Sequence, residues 1–148
     1  VPIRAQILNL RRQLQDQFGL SYLMISHDLD IVAHMCRNIA VMYLGRIVET
    51  GTVEQIPLTP RHPYTQTLFS AVLPHHPDLI EPRLRLRGPH PSPLNPPSGC
   101  RFRMRCPIAM PDCGAMEPQL ETTSTGGLAA CHHLARATRT ALQEALAS

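Results

Sequence analysis

Ile3, Ile7, Leu10, Leu14 and Phe18 recur at spacings of three and four, the period of an α-helix with one buried face, and Gly19 ends the pattern. The continuous apolar run LSYLMIS, residues 20–26, predicts a buried parallel strand. Asp28, just past His27, suits the N-cap of a second helix reaching Cys36. NIAVMYL (38–44) and IVET (47–50) flank Gly45 and Arg46 and predict a hairpin with a tight turn. One helical turn is expected over 52–56. His62, Pro63 and Tyr64 then open a helix running to about Val72, with proline in the first turn, where its missing N–H costs nothing. From 73 to 98 proline recurs too often for either period, and ARATRTALQEALA (135–147) is rich in helix formers and predicts a terminal helix.

A helix, one buried-type strand and one hairpin cannot cover each other's apolar faces, because a parallel strand needs neighbours on both sides and helices on both faces. The pattern is that of part of an α/β unit. The chain opens without a methionine inside a helical pattern, so further sequence is expected upstream. Three segments are expected: 1–58, an α/β portion; 59–98, the His-Pro-Tyr helix and a proline-rich linker; and 99–148, a small irregular extension.

Composition narrows the function. Among 148 residues there are 15 prolines, most of them between Pro57 and Pro118, which argues against a single compact core. No apolar stretch reaches the roughly 18 residues of a spanning helix, and the amphipathic N-terminus is unlike an export signal. All 14 Lys+Arg residues are arginine, but the formal net charge of +3 implies no nucleic-acid footprint. An arginine-rich RNA binder would also need interleaved aromatics, which are missing.

Cys100, Cys106, Cys113 and Cys131 follow the spacing C-x5-C-x6-C-x17-C in a segment with little else to organise a core. With Cys36 the cysteine count is five, which is odd, so a pair of disulfides would leave one thiol over. Metal ligation is the better use of the four. The spacing differs from the C-x2-C knuckles of structural zinc sites and leans toward an iron–sulfur cluster, with zinc as the alternative. Arg101, Arg103 and Arg105 lie between the first two ligands; in an extended loop they would share one side, either offsetting a negative site or forming a solvated face. His132 and His133 adjoin Cys131 and are read as non-ligands, and His34 and Cys36 as packing or surface residues.

His27 falls where a strand would end and a helix begin, the edge at which open α/β sheets meet ligands. The run SYLMISHDLDIVAHMCRNIAVMYLGRIVETGTVEQI resembles the last part of an ABC-transporter ATPase subunit, and VPIRAQILNLRRQLQ resembles the helix after that family's D-loop. HPYTQTLFSAV, the proline-rich stretch, GCRFRMRCPIAMPDC and AACHHL together are similar to the subfamily serving dipeptide, oligopeptide and nickel importers. Arg103 and Met104 stand where members carry histidine and proline.

The resemblance implies an α/β fold: the C-terminal portion of an ABC-ATPase nucleotide-binding domain, incomplete here, followed by a metal-stapled extension. It implies that His27 is the switch-loop histidine contacting the γ-phosphate, and that Cys100, Cys106, Cys113 and Cys131 hold a [4Fe-4S] cluster. It further implies a subunit that hydrolyses ATP with Mg2+ at the inner face of the cell membrane. Its partners would be a second ATP-binding subunit, two membrane permeases and, indirectly, a substrate-binding protein, with no nucleic acid. The sequence contains no GxxxxGK[ST] loop, no LSGGQ segment and no apolar strand ending in Asp-Glu. These residues alone are therefore expected neither to bind ATP tightly nor to hydrolyse it. The rival reading is a stand-alone iron–sulfur or zinc-binding interaction module.

Overall fold

The structure, a computed structural model, describes residues 3–72, 86, 88, 89, 91–135, 137, 142 and 144. Contacts divide the chain into two compact units, Val1–Arg37 and Asn38–Ser148.

The first unit holds α1 (Ile3–Phe18) and α2 (Leu29–Met35). The expected end of α1 forms: the Leu20 amide donates to the Gln15 carbonyl at 3.2 Å, the 6→1 bond of a Schellman closure around Gly19. Asp28 caps α2 as expected, its carboxylate accepting from the Ile31 amide at 3.2 Å. The strand expected over 20–26 is absent. A strand exists only through a ladder, and no described strand flanks this run, so Leu23 and Ile25 stand 93% and 94% exposed. The apolar stripe of α1 forms but stays uncovered among the described residues, with Ile7, Leu10 and Phe18 all exposed.

The second unit is built on the expected hairpin, β1 (Asn38–Tyr43) and β2 (Arg46–Thr52). Its two-residue turn has positive φ at both Leu44 (46°) and Gly45 (77°), the signature of a type I′ turn whose twist matches the strands. A register shift between Val41 and Met42 bends β1. Thr52 and Gln55 then exchange bonds, the Gln55 amide to the Thr52 hydroxyl at 3.2 Å and the Thr52 amide to the Gln55 carboxamide at 3.5 Å, opening the short α3 (Gln55–Leu58). The next helix, α4 (Pro63–Val72), spans the stretch the His-Pro-Tyr pattern predicted.

The cysteine-bearing segment supplies a 3₁₀ turn at Pro111–Gly114 and two short strands, β3 (Glu121–Thr122) and β4 (Leu128–Ala129). The sheet is antiparallel throughout, in the order β1-β2-β4-β3, with Glu49 opposite Ala129 and Thr50 opposite Leu128. The Ala130 amide extends this ladder to the Val48 carbonyl at 2.9 Å. The chain thus combines helices with an antiparallel sheet. The expected terminal helix lies largely outside the described residues, although Ala137 and Leu142 are buried in the core and the Gln66 side chain donates to the Ala137 carbonyl at 2.6 Å.

An aromatic cluster welds these elements together. Tyr43 from β1 lies 4.7 Å from Tyr64 of α4 and 5.3 Å, edge to face, from Phe102 of the cysteine loop. Phe102 also meets His62 and Tyr64 at 5.7 and 5.6 Å and is 1% exposed.

Candidate metal centre

Phe102 anchors the loop from which the cysteines project. Residues 101–105 form tight turns rather than the extended run expected, so the three arginines diverge instead of sharing a side. Arg101 donates to the Leu44 carbonyl at the hairpin turn and lies 4.0 Å from Glu117, which also pairs with Arg46 at 2.8 Å. Arg103 donates to the carbonyls of Ser98 and Gly114 at 2.6 and 3.3 Å. These bonds pin the loop to the hairpin and to its own return.

That return brings the first and third cysteines together. The Cys100 amide donates to the Cys113 carbonyl at 2.8 Å, and Gly99, at φ 63°, passes so close that a Cβ there would lie 2.5 Å from the Cys113 oxygen. Cys131 directly follows β4 and Ala130, so the pairing of β4 with β2 carries the fourth cysteine into the same unit.

The four cysteines line one cavity, together with His62, Pro63, Phe102, Arg103, Ile108, His132 and His133. None of the four is in a disulfide, and Cys36 is likewise a free thiol. Burial pushes Cys106 up to about 12 and Cys131 up to about 11, and the charges of neighbouring thiols add to both shifts. Burial also raises Cys100, against which the nearby Arg103 guanidinium is a minor opposing influence. Buried, mutually repelling thiols of this kind stay protonated until a cation pays the cost of ionising them, and binding then releases their protons.

Two histidines the sequence reading treated as non-ligands sit on the wall. His132 Nε2 is 2.9 Å from the Met116 carbonyl, and His133 Nε2 is 3.0 Å from Asp112 Oδ1. The donor atoms of Asp112, Cys113 and His133 lie within 4.8 Å of one another, a compact three-ligand corner that shares Cys113 with the four-thiol set. His133 and Asp112 are 21 residues apart, so no local spacing announces the pair.

His62, read from sequence as a helix-start residue, is 1% exposed and also faces this cavity. Glu49 holds the chain just before α4: its carboxylate accepts from the Arg61 and His62 amides at 2.7 and 2.8 Å. The His62 Nδ1 accepts from the Tyr64 amide at 3.1 Å, and burial lowers the imidazole to about 3. His27 belongs to the first unit, exposed at a bend one residue before the α2 cap; the helix expected after it forms, but the strand expected before it does not. His34 is exposed on α2.

No described helix is long and apolar enough to cross a membrane. Residues 48–113 match the family described as "Oligopeptide/dipeptide transporter, C-terminal region". The chain is 50% identical over 134 residues to the dipeptide transport ATP-binding protein DppF of Haemophilus influenzae, covering 90% of this chain and 41% of that protein. It is 51% identical over 131 residues to DppF of Escherichia coli (88% and 39%) and 48% identical over 137 residues to the putative oligopeptide transport ATP-binding protein YkfD of Bacillus subtilis (89% and 41%). The chain therefore spans about two fifths of the length of these relatives. The matched C-terminal region contains most of β2, all of α4 and three of the four clustered cysteines, and the similarity extends across nine tenths of the chain, so the chain is similar to the C-terminal part of dipeptide/oligopeptide transport ATP-binding proteins.

Proposed function

We propose that this chain serves as the C-terminal part of an ATP-hydrolysing subunit that energises import of dipeptides or oligopeptides through an ABC-type transporter. The observation that carries the reading is identity of 48–51% to peptide-transport ATP-binding proteins along nearly the whole chain. ATP and Mg2+ belong to the complete subunit, whose phosphate-gripping segments are not among these residues. Its partners are a second ATP-binding subunit and two membrane permeases at the inner face of the membrane, with a substrate-binding protein delivering the peptide.

In that reading His27 positions the attacking water at the terminal phosphate, from an exposed bend at the N-terminal side of α2. In the complete subunit, His27→Ala is expected to lower ATP turnover by about 100-fold, the lower end of general acid–base contributions, while leaving nucleotide binding near wild type. An unchanged turnover number removes the role.

The four cysteines are proposed as ligands of a [4Fe-4S] cluster. Their convergence on one cavity supports a shared group. Four thiols on one cavity suit a group that takes one thiolate per iron. When bound, such a cluster supplies cross-links between segments otherwise joined by few apolar contacts. Around it, Arg103 lines the wall and offsets negative charge, and Phe102 helps exclude water.

A further inference from the structure

We propose that His62 is a positioning residue for the group held by the four cysteines, its Nε2–H donating a hydrogen bond to a sulfur inside their cavity. This rests on the cluster reading above and adds a tuning element supplied from the residue just before α4, outside the cysteine segment. The imidazole lines the cavity, 1% exposed, and its ring stands 5.7 Å from Phe102, the residue that anchors the cysteine loop.

The tautomer follows from the backbone. The Tyr64 amide donates to Nδ1, so Nδ1 carries a lone pair and the proton of the neutral ring resides on Nε2. The His62 amide is itself held by the buried Glu49 carboxylate, whose second oxygen holds the Arg61 amide. With the amide and Nδ1 both engaged, the remaining polar atom of the residue, Nε2–H, is left for the cavity, where the thiols are the acceptors at hand. Burial keeps the ring neutral, so it enters as a dipolar donor and adds no charge. A solvated histidine would switch tautomers freely; this one is set by the Tyr64 amide, and its backbone is held by Glu49, before any ligand arrives.

Hydrogen bonds to cluster sulfurs stabilise the more negative, reduced state and raise the reduction potential. The test uses the complete ATP-binding subunit, purified without oxygen as wild type, His62→Gln and His62→Phe. Iron and acid-labile sulfide content reads the cluster itself, and the midpoint potential reads the hydrogen bond. With the donor removed in His62→Phe, the reduction equilibrium is expected to weaken about tenfold, equivalent to about 59 mV for one electron, while His62→Gln, which retains an N–H, recovers most of the loss.

Equal midpoint potentials in three loaded proteins overturn the role of His62 and leave the cluster standing. A wild type without iron and sulfide removes the cluster, and this inference with it. Where His62→Phe does not fold, 15N-histidine labelling decides: pulsed electron paramagnetic resonance of the reduced wild type is expected to detect a histidine nitrogen that His62→Gln loses. No such coupling in the loaded wild type overturns the proposal.

Discussion

Glu49 is the residue on which the second unit turns. It sits in β2 opposite Ala129 of β4, yet its 2% exposed side chain reaches the start of α4 and accepts two amides there. Glu49→Ala is expected to leave both amides without partners, costing about 1–3 kcal/mol for each buried group, measurable as a lowered urea midpoint. Burial raises the carboxyl above its ordinary value of 4.5, against the pull of the hydrogen bonds it accepts. A raised folded value means that the native state favours the neutral form, so this contribution is complete below 4.5 and is lost as pH climbs through the folded value. Wild type should therefore lose stability relative to Glu49→Gln as pH rises above 4.5. A difference between the two urea midpoints that does not vary with pH contradicts this.

None of that was legible in the sequence, where Glu49 reads as one polar position in a hairpin strand. The arginines were misleading for a related reason. Alternation along Arg101, Arg103 and Arg105 predicts a common side only if the backbone is extended, and the Arg103→Cys100 and Arg105→Phe102 turn bonds, from amide to carbonyl, curl it instead. His62 was legible as a packing residue at the start of α4, but the cavity it lines depends on Phe102, 40 residues away, and could not be read from its neighbours.

At the scale of elements, local chemistry was readable wherever it is local. The α1 stripe, the Asp28 cap, the glycine turn of the hairpin and the proline-led α4 each follow from residues within a few positions. The run 20–26 failed because a strand's partners are not in its own sequence, and β3 and β4, two residues each, are too short to register any period. What joins these elements is the cysteine loop, and two substitutions probe it. Phe102→Ala removes the ring shared by β1, α4 and the loop and is expected to cost about 3–5 kcal/mol, seen as a lowered thermal midpoint. Gly99→Ala places a methyl 2.5 Å from the Cys113 carbonyl oxygen at a left-handed φ of 63°. The strain there costs about 1–2 kcal/mol before any clash. The Gly99→Ala protein should fold its hairpin yet lose most of the metal proposed for the cysteine cavity, and metal content equal to wild type would contradict the close approach.

For the molecule as a whole, the cysteine-bearing segment is continuous with the sheet it follows: β4 lies on β2, and Phe102 sits in the aromatic core beneath β1. The second unit therefore links the hairpin to the thiol cavity through one set of contacts, and occupancy of that cavity should stabilise the hairpin and α4 as well as the loop. The family was legible from the order of the motifs along the chain, whereas the convergence of Cys100, Cys106, Cys113 and Cys131 became visible only with the fold, through β4 and the Gly99 return.

The measurement closest to this account is the metal and sulfide content of the complete subunit purified under anaerobic conditions. About four irons and four acid-labile sulfides per chain, lost together when Cys106 is replaced by serine, are the expected result. A colourless protein carrying stoichiometric zinc, or one folded with no inorganic content, would contradict it.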